Sequence, residues 1–191
     1  MDQRVVRIAC FGDSLTEGYG LTRDEALPSV LERRLSERGV PAQCLNFGIS
    51  GETFEDGLAR VDRVINASPD AVILEFGAND CFTGDPVPAI RDNASAVIEH
   101  LLAHGLPVLL VGITAHPEIG AGHEDEFNAL FGELANRYGL SLFPDILAPY
   151  FADPSLTLLD GLHPNAGGVE AMAEALLPQV GELIETARKR D

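Results

Sequence analysis

Short apolar runs alternate with longer stretches of helical period along this chain, and that alternation narrows the possible folds more than any other feature of the sequence. Residues 5–11, 43–47, 71–76, 108–113 and 140–143 read as strands, most of them too uniformly apolar to keep one face in water. Such runs suit strands covered on both sides, the situation of a parallel sheet. Residues 25–38, 53–66, 87–104 and 125–138 carry helical spacing between them, and 165–188 closes the chain with another helix. The breakers Gly39-Val40-Pro41, Ser68-Pro69 and Gly105-Leu106-Pro107 fall between a helix and the next strand, where a helix must stop before the chain can turn. Five successive strand–helix units predict an α/β fold, a parallel sheet with helices on both faces. No repeat, low-complexity tract or linker interrupts the pattern, so residues 1–191 are expected to form one domain. A domain of that length buries about 70% of the surface its unfolded chain exposes.

Composition removes several classes of function. A formal net charge of −17 opposes binding to nucleic acid or to anionic membrane surfaces, because phosphate binding draws its affinity from Lys and Arg. The one basic cluster, Arg188-Lys189-Arg190, reads as a solvated helix end that suits the helix dipole. No apolar run approaches the roughly 20 residues that span a bilayer, so stable membrane insertion is not expected. The start, Met1-Asp2-Gln3-Arg4, leads straight into a strand and not into a signal sequence. A cytoplasmic location is expected of the chain as it stands, and a periplasmic or secreted one if a leader has been removed. Cys10, Cys44 and Cys81 are odd in number and lie in or beside apolar segments, so they read as buried hydrophobes and not as a disulfide framework.

Two short motifs near the ends of the chain supply a nucleophile, a base and a carboxylate. Gly12-Asp13-Ser14-Leu15 follows the first strand, and Asp160-Gly161-Leu162-His163 precedes the last helix. A serine hydroxyl needs an imidazole to take its proton, and the imidazole needs an acid to fix its tautomer. In an open α/β sheet, ligands bind beyond the carboxyl ends of the strands. Ser14 follows the first strand, residues 48–51 the second and Gly77-Ala78-Asn79-Asp80 the third, so all three reach one rim, and Asp160 and His163 can reach it too. Attack on a carbonyl places charge on oxygen that fixed donors must meet. The backbone around Ser50-Gly51, the Asn79 amide and the Ser14 N–H are the candidates, while Asp13 reads as the turn residue that positions Ser14.

Four blocks in order resemble the SGNH hydrolases, also called GDSL esterases and lipases: residues 11–18, 46–53, 77–80 and 160–165. The resemblance implies Ser14 as nucleophile, His163 as base and then acid, and Asp160 as its partner, with the Ser14 and Gly51 N–H groups and the Asn79 side chain as oxyanion hole. It also implies a flavodoxin-like three-layer α/β/α sandwich and a serine esterase acting on aryl or short-to-medium-chain acyl esters, with thioesters also open to it, without metal or cofactor. Residues 50–60 and 77–84 look most similar to the small bacterial branch of arylesterases and acyl-CoA thioesterase–lysophospholipases. That likeness puts Cys81, Phe82 and Thr83 near substrate.

His116 follows the fourth strand in a loop that opens toward the same rim, so it joins the substrate-side candidates. His100 and His104 lie four apart at a helix C-terminus, where the helix dipole favours histidine. Three other readings stand beside the serine esterase: a carbohydrate acetylesterase of the same fold, a metal-dependent phosphoesterase using the Asp and Asn loops, and a flavodoxin-like binding module. Oligomeric state is left open by the sequence.

Overall fold

The strands β1 (Val6–Gly12), β2 (Ala42–Gly48), β3 (Ala71–Glu75), β4 (Val108–Val111) and β5 (Ser141–Phe143) form one sheet in the order β2-β1-β3-β4-β5, every neighbouring pair parallel. The structure, a computed structural model, describes residues 4–115 and 124–190. Its helices are α1 (Ser14–Glu17), α2 (Leu27–Glu37), α3 (Phe54–Asn66), α4 (Ala78–Thr83), α5 (Val87–Ala103), α6 (Glu124–Tyr138) and α7 (Ala166–Arg188). From β1 the chain crosses to β2 on one side, then jumps back over β1 to β3 and continues outward. Right-handed crossovers that travel in opposite directions place their helices on opposite faces. Accordingly α2 packs with α7, while α3, α5 and α6 pack side by side.

The reversal of strand order falls between β1 and β3, and a crevice opens at the carboxyl ends of such a pair. Ser14 leaves β1 there and Asn79 leaves β3 there. Both strands are central and buried along nearly their whole length, with Ile8, Ala9, Phe11, Val72 and Leu74 fully buried. Phe11 meets Phe76 edge to face at 5.0 Å, and Phe54 stands 5.5 Å from Phe76, so an aromatic cluster supports the crevice from below. Edge strand β2 differs from the expectation of doubly covered strands, since Gln43 and Asn46 are exposed. It has a hydrogen-bonded neighbour on one side only, so its outer part borders water.

Most elements match the sequence reading within a residue or two. Helix α2 starts at Leu27 instead of 25 because residues Arg23–Glu25 form a 3₁₀ turn, boxed by Thr22 and Glu25, and Pro28 then opens the helix. The short helices α1 and α4 carry too few residues to show a helical period. Asp13 caps α1, its carboxylate accepting from the Leu15 N–H at 3.0 Å. Gly77, at φ +123°, makes the turn from β3 into α4, a conformation that favours glycine.

Candidate active site

Ser14 is the first residue of α1 and is 8% exposed, just past the point where β1 ends beside its parallel neighbour β3, Gly12 opposite Glu75. A Cβ on Gly12 would stand 2.3 Å from both the Glu75 carbonyl and the Thr16 hydroxyl oxygen, so only glycine allows this close approach. As the first residue of a helix, Ser14 has a backbone N–H without an intrahelical acceptor, one of the orphan donors of every helix start.

His163 and Asp160 ride on a small closed loop. Thr157 bridges Pro164, the Leu158 N–H donates to the His163 carbonyl at 2.8 Å, and Gly161 makes the tip at φ +69°. Asn165 locks the base of the loop, donating to the carbonyls of Ser155 and Thr157 at 2.8 and 3.2 Å while capping α7 through the Gly168 N–H. One Asp160 oxygen accepts the Leu162 and His163 N–H groups at 2.9 and 3.0 Å, and the other accepts His163 Nδ1–H at 2.6 Å. With Nδ1 protonated toward the carboxylate, Nε2 carries the lone pair. It lies 3.0 Å from Ser14 Oγ. Burial pushes the Asp160 carboxyl up, but the Leu162 N–H, the imidazole and the His163 N–H outweigh it and hold the group below the ordinary aspartate value. The Tyr19 ring packs against the imidazole at 4.4 Å between centroids.

Of the three oxyanion candidates, Ser14 and Asn79 line one cavity and Gly51 lies outside its lining. Asn79 Nδ2 donates to the Glu52 carbonyl at 2.8 Å and to Asp13 Oδ2 at 3.3 Å, so both of its hydrogens already have acceptors. Gly51 immediately precedes Glu52 and is held at φ +85° in an exposed turn. Glu17 braces that turn by accepting from the Ser50 N–H at 2.8 Å and from the Ser50 hydroxyl. Asn46 in turn donates to the Glu17 carbonyl at 3.1 Å. A Cβ on Gly48 would stand 2.2 Å from the Glu17 nitrogen, so α1 lies against the end of β2 with no room for a side chain. The block at residues 46–53 therefore fixes α1 as much as it offers a donor.

A cavity of about 250 Å³ opens beside this cluster, with Ser14, Asn79 and His163 as its polar edge. Its walls are Phe82, Ile113, Leu147, Tyr150, Phe151 and Leu162. Of the residues expected near substrate, Phe82 lines the cavity and is 68% exposed. Cys81 packs against the core instead, because it lies on the inner side of α4. Thr83 turns its hydroxyl back to the Asn79 carbonyl at 2.9 Å. His116 lies outside the described residues. Among the described residues no group of three His, Cys, Asp or Glu side chains converges to hold a metal ion. Among them, too, no helix is long and apolar enough to cross a membrane.

Several contributors carried no local signal in the sequence. Tyr19 and Tyr150 reach the site from outside the four blocks, and Glu52, inside one of them, acts through its backbone carbonyl. Glu75 alone could have been flagged, as a carboxylate closing an otherwise apolar, buried strand. Burial pushes Glu75 well above the usual carboxylate range and Asp13 up to about 7, the Leu15 N–H pulling the latter back. Asp80, whose carboxylate accepts the Phe54 N–H at 3.2 Å at the start of α3, is raised by burial to about 6.

Comparison with known proteins bears on this geometry. The profile of the GDSL-like lipase/acylhydrolase family matches residues 10–171. An arylesterase of Vibrio mimicus is 32% identical over 169 residues, covering 88% of this chain and 84% of its own. The crystal structure of AlinE4, an SGNH-hydrolase family esterase, superposes with a TM-score of 0.80 at 35% identity, covering 95% of this chain and 98% of its own. A crystal structure of TesA gives a TM-score of 0.87 at 27% identity, covering 93% of this chain and 99% of its own.

Proposed function

The chain belongs to the GDSL-like lipase/acylhydrolase family, and from there we propose that it is a serine esterase that hydrolyses uncharged carboxylic esters through an acyl-enzyme on Ser14. The observation that carries this reading is the unbroken hydrogen-bond chain from Ser14 Oγ through His163 to Asp160 at the edge of an apolar cavity. His163 Nε2 takes the hydroxyl proton as Oγ attacks the ester carbonyl, and Asp160 stabilises the imidazolium that forms. The carbonyl oxygen becomes an oxyanion facing the N–H groups of Ser14 and Gly51 and the Asn79 amide. Each such donor is worth about 3 to 4 kcal/mol. Asn79 meets the oxyanion by releasing its longer contact, the one to Asp13, while the Glu52 carbonyl keeps the amide in place. His163 then protonates the departing alcohol, and water repeats the sequence on the acyl-enzyme.

The cavity favours a particular substrate class. At about 250 Å³ it is smaller than pockets for drug-sized ligands, which run from about 300 to 1,000 Å³. One aryl group or a short-to-medium acyl chain suits that space. Apolar walls give such a group its binding energy, about 0.8 kcal/mol for each buried methylene. A net charge of −17 opposes strongly anionic esters, and for the same reason it favours neutral esters over coenzyme A thioesters.

Hydrolysis of p-nitrophenyl esters from acetate to palmitate, with Ser14→Ala as control, tests the proposal. A Ser14-dependent rate that peaks at short-to-medium chains is expected. Folded protein that turns over none of these esters overturns the reading.

A further inference from the structure

Beneath Ser14 the fold buries two carboxyl groups that the acyl-transfer steps leave unused. Asp13 is fully buried and Glu75 is 2% exposed, and the two are neighbours, the Asp13 N–H donating to Glu75 Oε2 at 3.4 Å. Among the described residues neither forms an ion pair. Arg60 of α3 reaches the Gly12 carbonyl at 3.2 Å, but its charge is matched by Glu52 at 2.5 Å. The other charged or titratable groups that face the pair are Asp80 of α4, Glu52 of the β2–α3 loop and the Tyr150 phenol. Asp80 and Glu52 are acidic and disfavour a second negative charge.

A count of hydrogen bonds leaves one gap. Asp13 Oδ1 accepts from the Leu15 N–H and Oδ2 from Asn79. Glu75 Oε2 accepts from the Thr16 hydroxyl at 2.8 Å and from the Asp13 N–H at 3.4 Å. Glu75 Oε1 is buried without a hydrogen-bond partner among the described residues. Two carboxylates in contact are both acceptors and leave that oxygen orphaned, a costly arrangement for a buried polar atom. A proton held on Glu75 would turn one acceptor of the two groups into a donor.

We propose that Asp13 and Glu75 hold a single proton between them, Glu75 donating and Asp13 accepting, and that this pair positions the Asn79 amide for the oxyanion. The proposal rests on the esterase reading. Asp13 and the Glu52 carbonyl clamp Asn79 Nδ2 at two points and so fix the amide plane. A fully ionised pair would put two negative charges below a developing oxyanion and grip the amide hydrogen too firmly to release it. One shared proton halves that charge and weakens the grip. Asp13 and Glu75 are thus positioning residues, acting through Asn79.

The proton itself is read by infrared difference spectroscopy of the wild type against Glu75→Gln at neutral pH. A protonated-carboxyl carbonyl band present in the wild type and lost in the variant is expected, and its absence from the wild type overturns the pair. Kinetics on p-nitrophenyl butyrate read the positioning. The Gln amide replaces the acid O–H as donor, so Glu75→Gln should keep kcat within about fivefold, whereas Glu75→Met, with no donor, should lose about 10²-fold in kcat with KM nearly unchanged. Equal losses in the two variants overturn the positioning role. If Glu75→Met does not fold, the infrared band and the Gln kinetics decide. Wild-type protein that shows the band but hydrolyses no ester overturns the esterase reading and leaves the shared proton standing.

Discussion

Tyr150 donates its phenolic hydrogen bond to the Leu162 carbonyl at 2.9 Å, which ties the wall of the apolar cavity to the loop that carries His163. Tyr150 is 1% exposed, so the contact is shielded from water. Acyl binding and the placement of the base therefore share one side chain, and the two should respond together when it changes.

Tyr150→Phe keeps the ring and leaves the Leu162 carbonyl without its donor. A loss of about 1 kcal/mol in stability is expected, along with a fall in kcat and little change in the preferred acyl length. Denaturant unfolding and the p-nitrophenyl ester series measure the two effects separately.

Tyr19 is half-exposed, and its ring braces the imidazole of His163. Tyr19→Ala should cost less than about 1 kcal/mol of stability yet lower kcat several-fold, because small misplacements of a reacting group are expensive. Tyr19→Phe, which keeps the ring, should restore the rate. Equal rates for the two variants would show that the ring contact is idle.

Leu147 is 4% exposed and forms a wall of the cavity. Leu147→Ala should destabilise the protein by about 2 to 5 kcal/mol, the usual range for a buried leucine. It should also shift the best substrate toward longer acyl chains, since the lost volume adds to the cavity. An unchanged chain-length profile would place the acyl group elsewhere.

The pH dependence of stability follows from Asp80. Burial raises its carboxyl from 3.8 to about 6, so in that interval the folded chain binds more protons than the unfolded chain. Stability then falls as pH rises, the contribution being complete below the unfolded value and lost by the folded one. Asp80→Asn keeps an oxygen for the Phe54 N–H and removes the titration. Its melting temperature, relative to wild type, should improve as pH rises from about 4 to about 6. Asp160, held below its ordinary value, works in the opposite sense, and its contribution is lost as pH falls.

Much of this architecture was legible because its signals are local. The apolar runs that became β1 and β3 carry only Arg7, near the start of β1, and Glu75, at the end of β3, as charged residues, and Ser14 and Asn79 follow them by necessity. The Asp160–His163 pair was legible from spacing alone, because three residues suffice for one carboxylate to grip both the backbone and the imidazole. The partners of Asn79 were not legible. Glu52 offers a carbonyl, which every residue has, and Asp13 reaches the amide only because β1 and β3 are neighbours. Tyr150 was hidden for a similar reason, since its hydrogen bond joins two segments without periodic pattern. The helices α1 and α4 escaped because hydrophobic period needs more residues than they contain.

Labelling with a fluorophosphonate, followed by mapping of the modified peptide by mass spectrometry, tests Ser14 as the nucleophile most directly. The wild type should carry one adduct, on Ser14, with Ser14→Ala unlabelled and Asp160→Asn turning over esters about 10³ to 10⁴-fold more slowly. An adduct on any other residue, or ester hydrolysis by Ser14→Ala at the wild-type rate, would contradict it.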